Sequence, residues 1–333
     1  MSRVAHPGLL HVENVFVHFP LRSTFMRRSR EVVRAVDGVT LTVNPGETVG
    51  LVGESGCGKT TLGWAILRLV APTSGRVLFD GTDLLALSGG SLRRFRRHLQ
   101  IIFQDPYGSL NPRMTVMGIV GEAMRVHGLV HSTRAQRDRV AGLLETVGLR
   151  KDFLYRYPHE LSGGQRQRIG IARALALEPR FIVADEPLSA LDVSIQAQIV
   201  NLLKDLQEKL RISMLFISHD LKMVKFLSNT ISVMYLGRIV ESGPADELFL
   251  HPLHPYTRAL MEAIPVPDPL SRWKPTPLRG EIPSPIHPPE GCRFRTRCPH
   301  AFEPCDRSDP DLLEVQHGHL VACHLVNEPA AEG

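Results

Sequence analysis

This chain of 333 residues lacks several things, and each absence excludes something. No apolar run approaches the roughly 18 residues that a membrane span requires, so a membrane role is expected to pass through partners. The segment Met1 to Leu10 is broken by Arg3, His6, Pro7 and Gly8. It lacks the apolar middle of a signal peptide, and the chain is expected to stay in the cytosol. No internal repeat is visible. Charge is nearly balanced: the net +5 fits nucleotide phosphates, nucleic acid or an anionic membrane face, without choosing among them. Cysteine is almost absent from the body of the chain. Cys57 stands alone, and Cys292, Cys298, Cys305 and Cys323 all fall in the tail.

What is present is ordinary globular material, with 43% hydrophobic and 22% charged residues, which excludes disorder along the whole chain. Leu9 to Phe19 alternates as a strand, and Val39 to Val43 reads as another, ended by Asn44-Pro45-Gly46. Between them Leu21 to Arg34 reads as a basic surface loop. Glu47 to Val52 is a strand that runs into Gly53, and Thr60 to Val70 a helix stopped near Pro72. Pro106 to about Glu178 is mostly helical, with Val140, Leu143, Leu144 and Val147 at helical spacing. Phe181 to Ala184 is a buried parallel strand followed by Asp185 and Glu186. Ile195 to Leu210 is an amphipathic helix and Ser213 to Ile217 a strand. Ile231 to Tyr235 and Arg238 to Glu241 form a hairpin around Leu236-Gly237. Alternating strands and helices imply an α/β core with a largely parallel sheet.

The residues Gly53-Glu54-Ser55-Gly56-Cys57-Gly58-Lys59-Thr60 match the phosphate-loop pattern in full, between a strand and a helix. Glycines let successive N–H groups curl toward phosphate oxygens, and the helix N-terminus adds its dipole. Lys59 is expected on the β- and γ-phosphates, Thr60 on Mg²⁺, and Thr61 beside it on the nucleotide. Asp185, at the carboxyl end of an apolar strand, is placed to hold Mg²⁺, and Glu186 to polarise the attacking water.

Leu161-Ser162-Gly163-Gly164-Gln165, followed by Arg166-Gln167-Arg168 and a helix, resembles the signature motif of ATP-binding-cassette (ABC) ATPases. That resemblance covers about Leu9 to Gly243. It implies an ABC-type P-loop NTPase with a RecA-like core, an antiparallel β subdomain and a helical signature subdomain at about 106–178, within an ATPase domain spanning 9–263. By resemblance, Ser162, Gly163, Gly164 and Gln165 cap the γ-phosphate held by a second subunit. Gln104 resembles the Q-loop glutamine that senses Mg²⁺ and water. Ser189-Ala190-Leu191-Asp192 resembles the D-loop, and His219 the switch histidine. Phe19 is the expected adenine-stacking aromatic. Cys57 sits at a variable loop position and reads as a small filler.

The flanks carry a narrower resemblance. Pro158-His159-Glu160, Gln104-Asp105-Pro106, His251-Pro252-Leu253-His254-Pro255-Tyr256-Thr257 and Gly291-Cys292-Arg293-Phe294-Arg295-Thr296-Arg297-Cys298-Pro299 look like the dipeptide/oligopeptide importer ATPases, whose tail nickel and glutathione importers share. This implies a second, related ABC ATPase chain, two transmembrane permease subunits, an extracytoplasmic binding protein and a peripheral location on the cytoplasmic membrane face. Nine prolines from Pro265 to Pro289 mark 264–290 as a linker, ahead of a Cys-rich tail at 291–325. The tail cysteines are separated by five, six and 17 residues, with His300, His317, His319 and His324 nearby. Four thiolates suit an iron–sulfur cluster or zinc, and the spacing leaves the metal open. The resemblance implies a [4Fe–4S] cluster on Cys292, Cys298, Cys305 and Cys323, with Zn²⁺ the alternative.

The competing reading is a soluble ABC ATPase of DNA repair or translation. Such proteins carry a long coiled coil, a zinc hook or two cassettes. The 56 residues between Gln104 and Leu161 are too few for a long coiled coil. Arg93, Arg94, Arg96 and Arg97 read as a solvated helix face, and no nucleic acid partner is expected.

Overall fold

The computed structural model describes residues 8–21, 31–264, 278 and 280–327. The basic stretch within Leu21 to Arg34 and most of the proline-rich linker lie outside these residues. The chain forms two compact units. One takes in the chain up to Thr42, Thr48–Leu85 and everything from His219 onward; the other takes in Val43–Glu47 and Ala86–Ser218.

In the first unit, an antiparallel sheet has the order Val32–Val43, Leu10–Pro20, Ser74–Phe79, Thr82–Asp83. Val32–Val43 is longer than the strand expected at Val39 to Val43. Asp37 and Gly38 interrupt its apolar alternation, yet the chain stays extended through them. Asp37 is buried there beside His18 and Arg293. In the same unit the buried strand Thr48–Val52 pairs in parallel with Thr230–Tyr235, which pairs antiparallel with Arg238–Pro244. The tail adds two strands: His319–Val321 pairs with Arg238–Pro244, and Leu313–Gln316 pairs with His319–Val321. Glu241, fully buried on Arg238–Pro244, accepts hydrogen bonds from the Leu253 and His254 N–H groups and pairs with His319. One buried carboxylate thus ties the tail to the sheet and to the segment after it.

The second unit contains three parallel strands, Leu99–Ile102, Phe181–Asp185 and Ser213–Ile217, paired in that order. The last two are buried at every position, as parallel strands covered on both faces must be. Its helices start where capping residues dictate. Thr115, Ser132 and Ser162 accept N–H bonds at the starts of Val116–Val126, Thr133–Thr146 and Gly163–Leu175. The helix Gly89–Arg96 has no fully buried residue; Arg93 and Arg94 are exposed as expected, whereas Arg96 and Arg97 are half-buried and do not belong to a purely solvated face.

The helix after the phosphate loop spans Lys59–Ile66 and stops short of the expected Val70. Arg68 turns left-handed at φ 57°, and the Leu69 and Val70 N–H groups fold back onto the Trp64 carbonyl. That closes the last turn well before Pro72. Among the described residues no helix is long and apolar enough to cross a membrane.

Candidate functional site

Two glycines of the phosphate loop have no possible substitute. Gly53 lies at φ 151° and a Cβ there would sit 2.1 Å from the Met234 carbonyl oxygen; Gly58 lies at φ 108° and its Cβ would sit 2.0 Å from that of Ala35. The loop is therefore wedged against two neighbouring backbones, in a shape that only glycine allows. Gly58 is also the N-cap of Lys59–Ile66 and offers no capping side chain, which leaves the helix start to an anion. Lys59 is buried, with its Nζ donating to the carbonyl oxygens of Gly53 at 2.8 Å and Glu54 at 3.0 Å. Its ammonium is thus gathered at the loop's own mouth. Ser55, Gly56, Cys57, Thr60 and Thr61 complete the run. Cys57 is buried, and burial raises its thiol pKa despite the nearby Lys59.

The loop is held from outside by residues that the motif did not mark. The Glu54 N–H donates to the Tyr256 hydroxyl at 2.9 Å. The Glu54 carboxylate accepts both Nη groups of Arg297, at 2.6 and 3.0 Å. Tyr256 is fully buried against Tyr235 and Phe294, with ring centroids 4.8 and 5.4 Å away. The Gly237 N–H donates to the Cys57 carbonyl, and Arg293 reaches both the Leu236 carbonyl and buried Asp37. Burial works against the Asp37 charge, but Arg293 and His18 outweigh it and hold the carboxyl below its usual pKa. Nothing in the sequence spacing could have found these partners, because Arg297 lies 243 positions from Glu54.

Also in the first unit, Phe19 stands near the end of Leu10–Pro20 and is 40% exposed. His219 is exposed, one residue before Asp220, which caps Leu221–Leu227 by accepting from the Lys222 and Met223 N–H groups.

The second unit brings the acid end together. Asp185 is buried at the last position of Phe181–Asp185, and Glu186 follows, half-buried, with a left-handed φ of 42°. A non-glycine residue in that region costs about 1–3 kcal/mol and is held by its surroundings. Here the Glu186 N–H donates to the Ile217 carbonyl, and its own carbonyl accepts from the Ser189 hydroxyl. Gln104 Nε2 donates to Glu186 Oε2 at 3.2 Å, so glutamine and glutamate meet across 82 positions.

Ser162 N-caps Gly163–Leu175 in a reciprocal box with Gln165, at 3.3 and 3.0 Å. The hydroxyl is used there as acceptor, so its proton stays available for an anion. Ser162 is exposed, with Gly163, Gly164 and Gln165 half-buried beside it. Two arginines of the same helix clasp the segment after Gln104. The Arg166 guanidinium lies 3.9 Å over the Tyr107 ring, and Arg173 donates to the Ser109 carbonyl.

In the tail, Cys292, Cys305 and Cys323 are buried, Cys298 is half-buried, and none forms a disulfide. The Cys292 N–H donates to the Cys305 carbonyl. Burial, with Cys305 and Cys323 as neighbouring charges, pushes the Cys292 thiol up to about 12. Burial raises Cys298, near Cys305, and Cys323, near Cys298 and Cys305. The four sulfurs therefore share one neighbourhood. Among the described residues no three His, Cys, Asp or Glu side chains converge as ligands of a single metal ion.

A phosphate loop, a Gln–Glu pair at a strand end and a capped Ser-Gly-Gly helix start define an ATP-binding cassette. Comparison with known proteins agrees. Residues 36–189 match the ABC transporter family, and 240–305 the oligopeptide/dipeptide transporter C-terminal region. The chain is 56% identical to "Putative oligopeptide transport ATP-binding protein YkfD" of Bacillus subtilis, over 95% of each chain. It is 49% identical to the oligopeptide transport ATP-binding protein AppF of the same organism, over 98% of this chain and 99% of that one. Among solved structures it resembles the dimeric post-hydrolysis state of the cassette MJ0796 bound to ADP and Pi. There the TM-score is 0.64 and the identity 30%, over 71% of this chain and 98% of that one. The chain is an ABC ATPase and hydrolyses ATP. Within that class it belongs to the family of oligopeptide and peptide transport ATP-binding proteins.

Proposed function

We propose that this chain energises import of di- or oligopeptides by hydrolysing ATP beneath a membrane permease. The observation that carries the reading is the match of residues 240–305 to the oligopeptide/dipeptide transporter C-terminal region, a segment beyond what the nucleotide motifs need. The backbone of Gly53–Thr60 holds the phosphates, Lys59 neutralises them, and the Thr60 hydroxyl and Asp185 hold Mg²⁺. Mg²⁺ supplies charge neutralisation on the phosphate oxygens. Glu186 polarises the attacking water, Gln104 orients Glu186 through their hydrogen bond, and His219 contacts the γ-phosphate. Ser162–Gln165 closes the phosphates of a second subunit, whose own signature closes this one. Phe19 takes the adenine.

The partners are a related ATPase chain, two permease subunits and an extracytoplasmic binding protein, with this chain peripheral on the cytoplasmic face. Nickel and glutathione remain the alternative cargoes. Cys292, Cys298, Cys305 and Cys323 hold a [4Fe–4S] cluster that staples the tail. The chemistry of the donor set supports it, since all four candidate ligands are cysteines and three of them are buried, and Zn²⁺ is the alternative on the same thiolates. Affinity purification of tagged chain from membranes tests the assembly. Two permeases and a peptide-binding protein are expected; recovery of the chain with nucleic acid and no permease would overturn it. Iron and sulfide analysis of anaerobically purified protein tests the cluster.

A further inference from the structure

The turn between Cys292 and Cys298 reaches the phosphate loop with a charged fork. Within it the Arg297 N–H donates to the Phe294 carbonyl at 2.9 Å, and so does that of Cys298 at 3.0 Å, so the guanidinium is presented from a closed turn. The Arg297 side chain is 5% exposed and Glu54, its partner, 25%. Phe294, in the same turn, packs on Tyr256, and Tyr256 holds the Glu54 N–H. The turn thus grips Glu54 twice, by side chain and, through Tyr256, by backbone. Glu54 in turn sits beside Gly53, and the carbonyls of both accept Lys59 Nζ.

The charge balance gives this grip a consequence. Glu54 puts a carboxylate at the mouth of a loop that binds a polyanion. A bidentate guanidinium cancels that charge and fixes the carboxylate away from free rotation. Without it, the carboxylate repels phosphate in a partly desolvated place, where screening is weak.

We propose that Arg297 is a positioning residue of the nucleotide site, through which the cysteine-bracketed tail neutralises Glu54, holds the entry of the phosphate loop and sets nucleotide affinity. The proposal rests on the reading of Gly53–Thr60 as the phosphate loop. It assigns to the tail a role in nucleotide binding, besides any staple its cysteines carry.

The test is the affinity of the full chain for the Mg²⁺ complex of a non-hydrolysable ATP analogue, measured by calorimetry. Arg297→Ala is expected to weaken binding roughly five- to twentyfold, a usual size for coupling between distinct elements. Adding Glu54→Gln to Arg297→Ala removes the repelling charge and is expected to restore most of that loss, a rescue that a purely structural role does not give. Lys59→Ala serves as the control. If Arg297→Ala binds like the wild type while Lys59→Ala does not, the positioning role is overturned. If Lys59→Ala also binds like the wild type, the loop reading itself falls. A loss in Arg297→Ala that Glu54→Gln leaves unrepaired also overturns the proposal. Should Arg297→Ala fail to fold, Arg297→Lys keeps the charge and loses the fork. It is then expected to weaken binding about threefold, and wild-type affinity would contradict the inference.

Discussion

The phosphate loop and the carboxylate strand end are built from different materials. The loop works through main chain. Gly53 and Gly58 are pressed onto the carbonyls of Met234 and Ala35, and the surrounding contacts from Tyr256 and Gly237 are to backbone groups. The strand end works through side chains. Asp185 is buried, Glu186 is bent into a left-handed conformation, and Gln104 is bonded to it. Backbone donors are fixed by the fold and suit static binding of charge. A side-chain carboxylate can take a proton or reorient, as catalysis of water attack needs. The lesson is that binding and hydrolysis should separate on mutation.

The largest effect is expected at Glu186. Glu186→Gln should lower steady-state ATP turnover by about a thousandfold with nucleotide affinity nearly unchanged, because general-base contributions run to about that size. Steady-state phosphate release and equilibrium binding check the two halves. Retained turnover would remove Glu186 from the reaction. Next comes Lys59→Ala, which should weaken nucleotide binding roughly ten- to hundredfold, the worth of a charge-assisted contact to phosphate. Binding by calorimetry decides it, and unchanged affinity would dissolve the contrast between the two regions.

Arg293 and His254, among the supports of the loop, act on stability rather than on turnover or affinity. Arg293→Ala leaves Asp37 buried beside His18 and, at 3.9 Å, Arg34, so the loss of one hydrogen-bonding partner is expected to cost about 1–3 kcal/mol. Asp37 has a lowered carboxyl pKa, so the unfolded chain binds its proton first. The stability this supplies is complete above the unfolded value of 3.8 and is lost as pH falls through the lowered folded value. The gap between wild type and variant in urea unfolding should therefore be full at pH 7 and shrink in strong acid. The smallest effect is expected at His254, whose Nδ1 accepts the Tyr256 N–H at 3.0 Å and whose complete burial lowers its pKa to about 3. In this case the unfolded state binds the proton below 6.5, so stability should decline from pH 6.5 toward 3. His254→Asn keeps an acceptor at the cap and should flatten that decline in the urea midpoints. An unchanged slope would place the pH dependence elsewhere.

Much of this was legible because its constraints are local. Gly53 to Thr60 is one loop, Phe181 to Asp185 one strand, and Ser162 to Gln165 one helix start, so their chemistry is written in consecutive residues. The fold class followed from the same alternation, and both family matches agree with it. The strand Val32–Val43 was only half visible, since Asp37 breaks the apolar pattern for the sake of a partner far along the chain. The Glu54–Arg297 fork and the Glu241–His319 pair were invisible for the same reason. Charged residues read as surface in a sequence until the fold supplies the opposite charge. The helix Lys59–Ile66 ended early for a different cause: the left-handed turn at Arg68 leaves no mark in composition.

Peptide-dependent ATP hydrolysis in proteoliposomes is the most direct test of the account. The chain would be assembled with its partner ATPase, permeases and binding protein, and phosphate release followed with and without di- or oligopeptide. Hydrolysis is expected to rise with peptide and to fall about a thousandfold in Glu186→Gln. Hydrolysis indifferent to peptide, in an assembly that responds to another cargo, would contradict it.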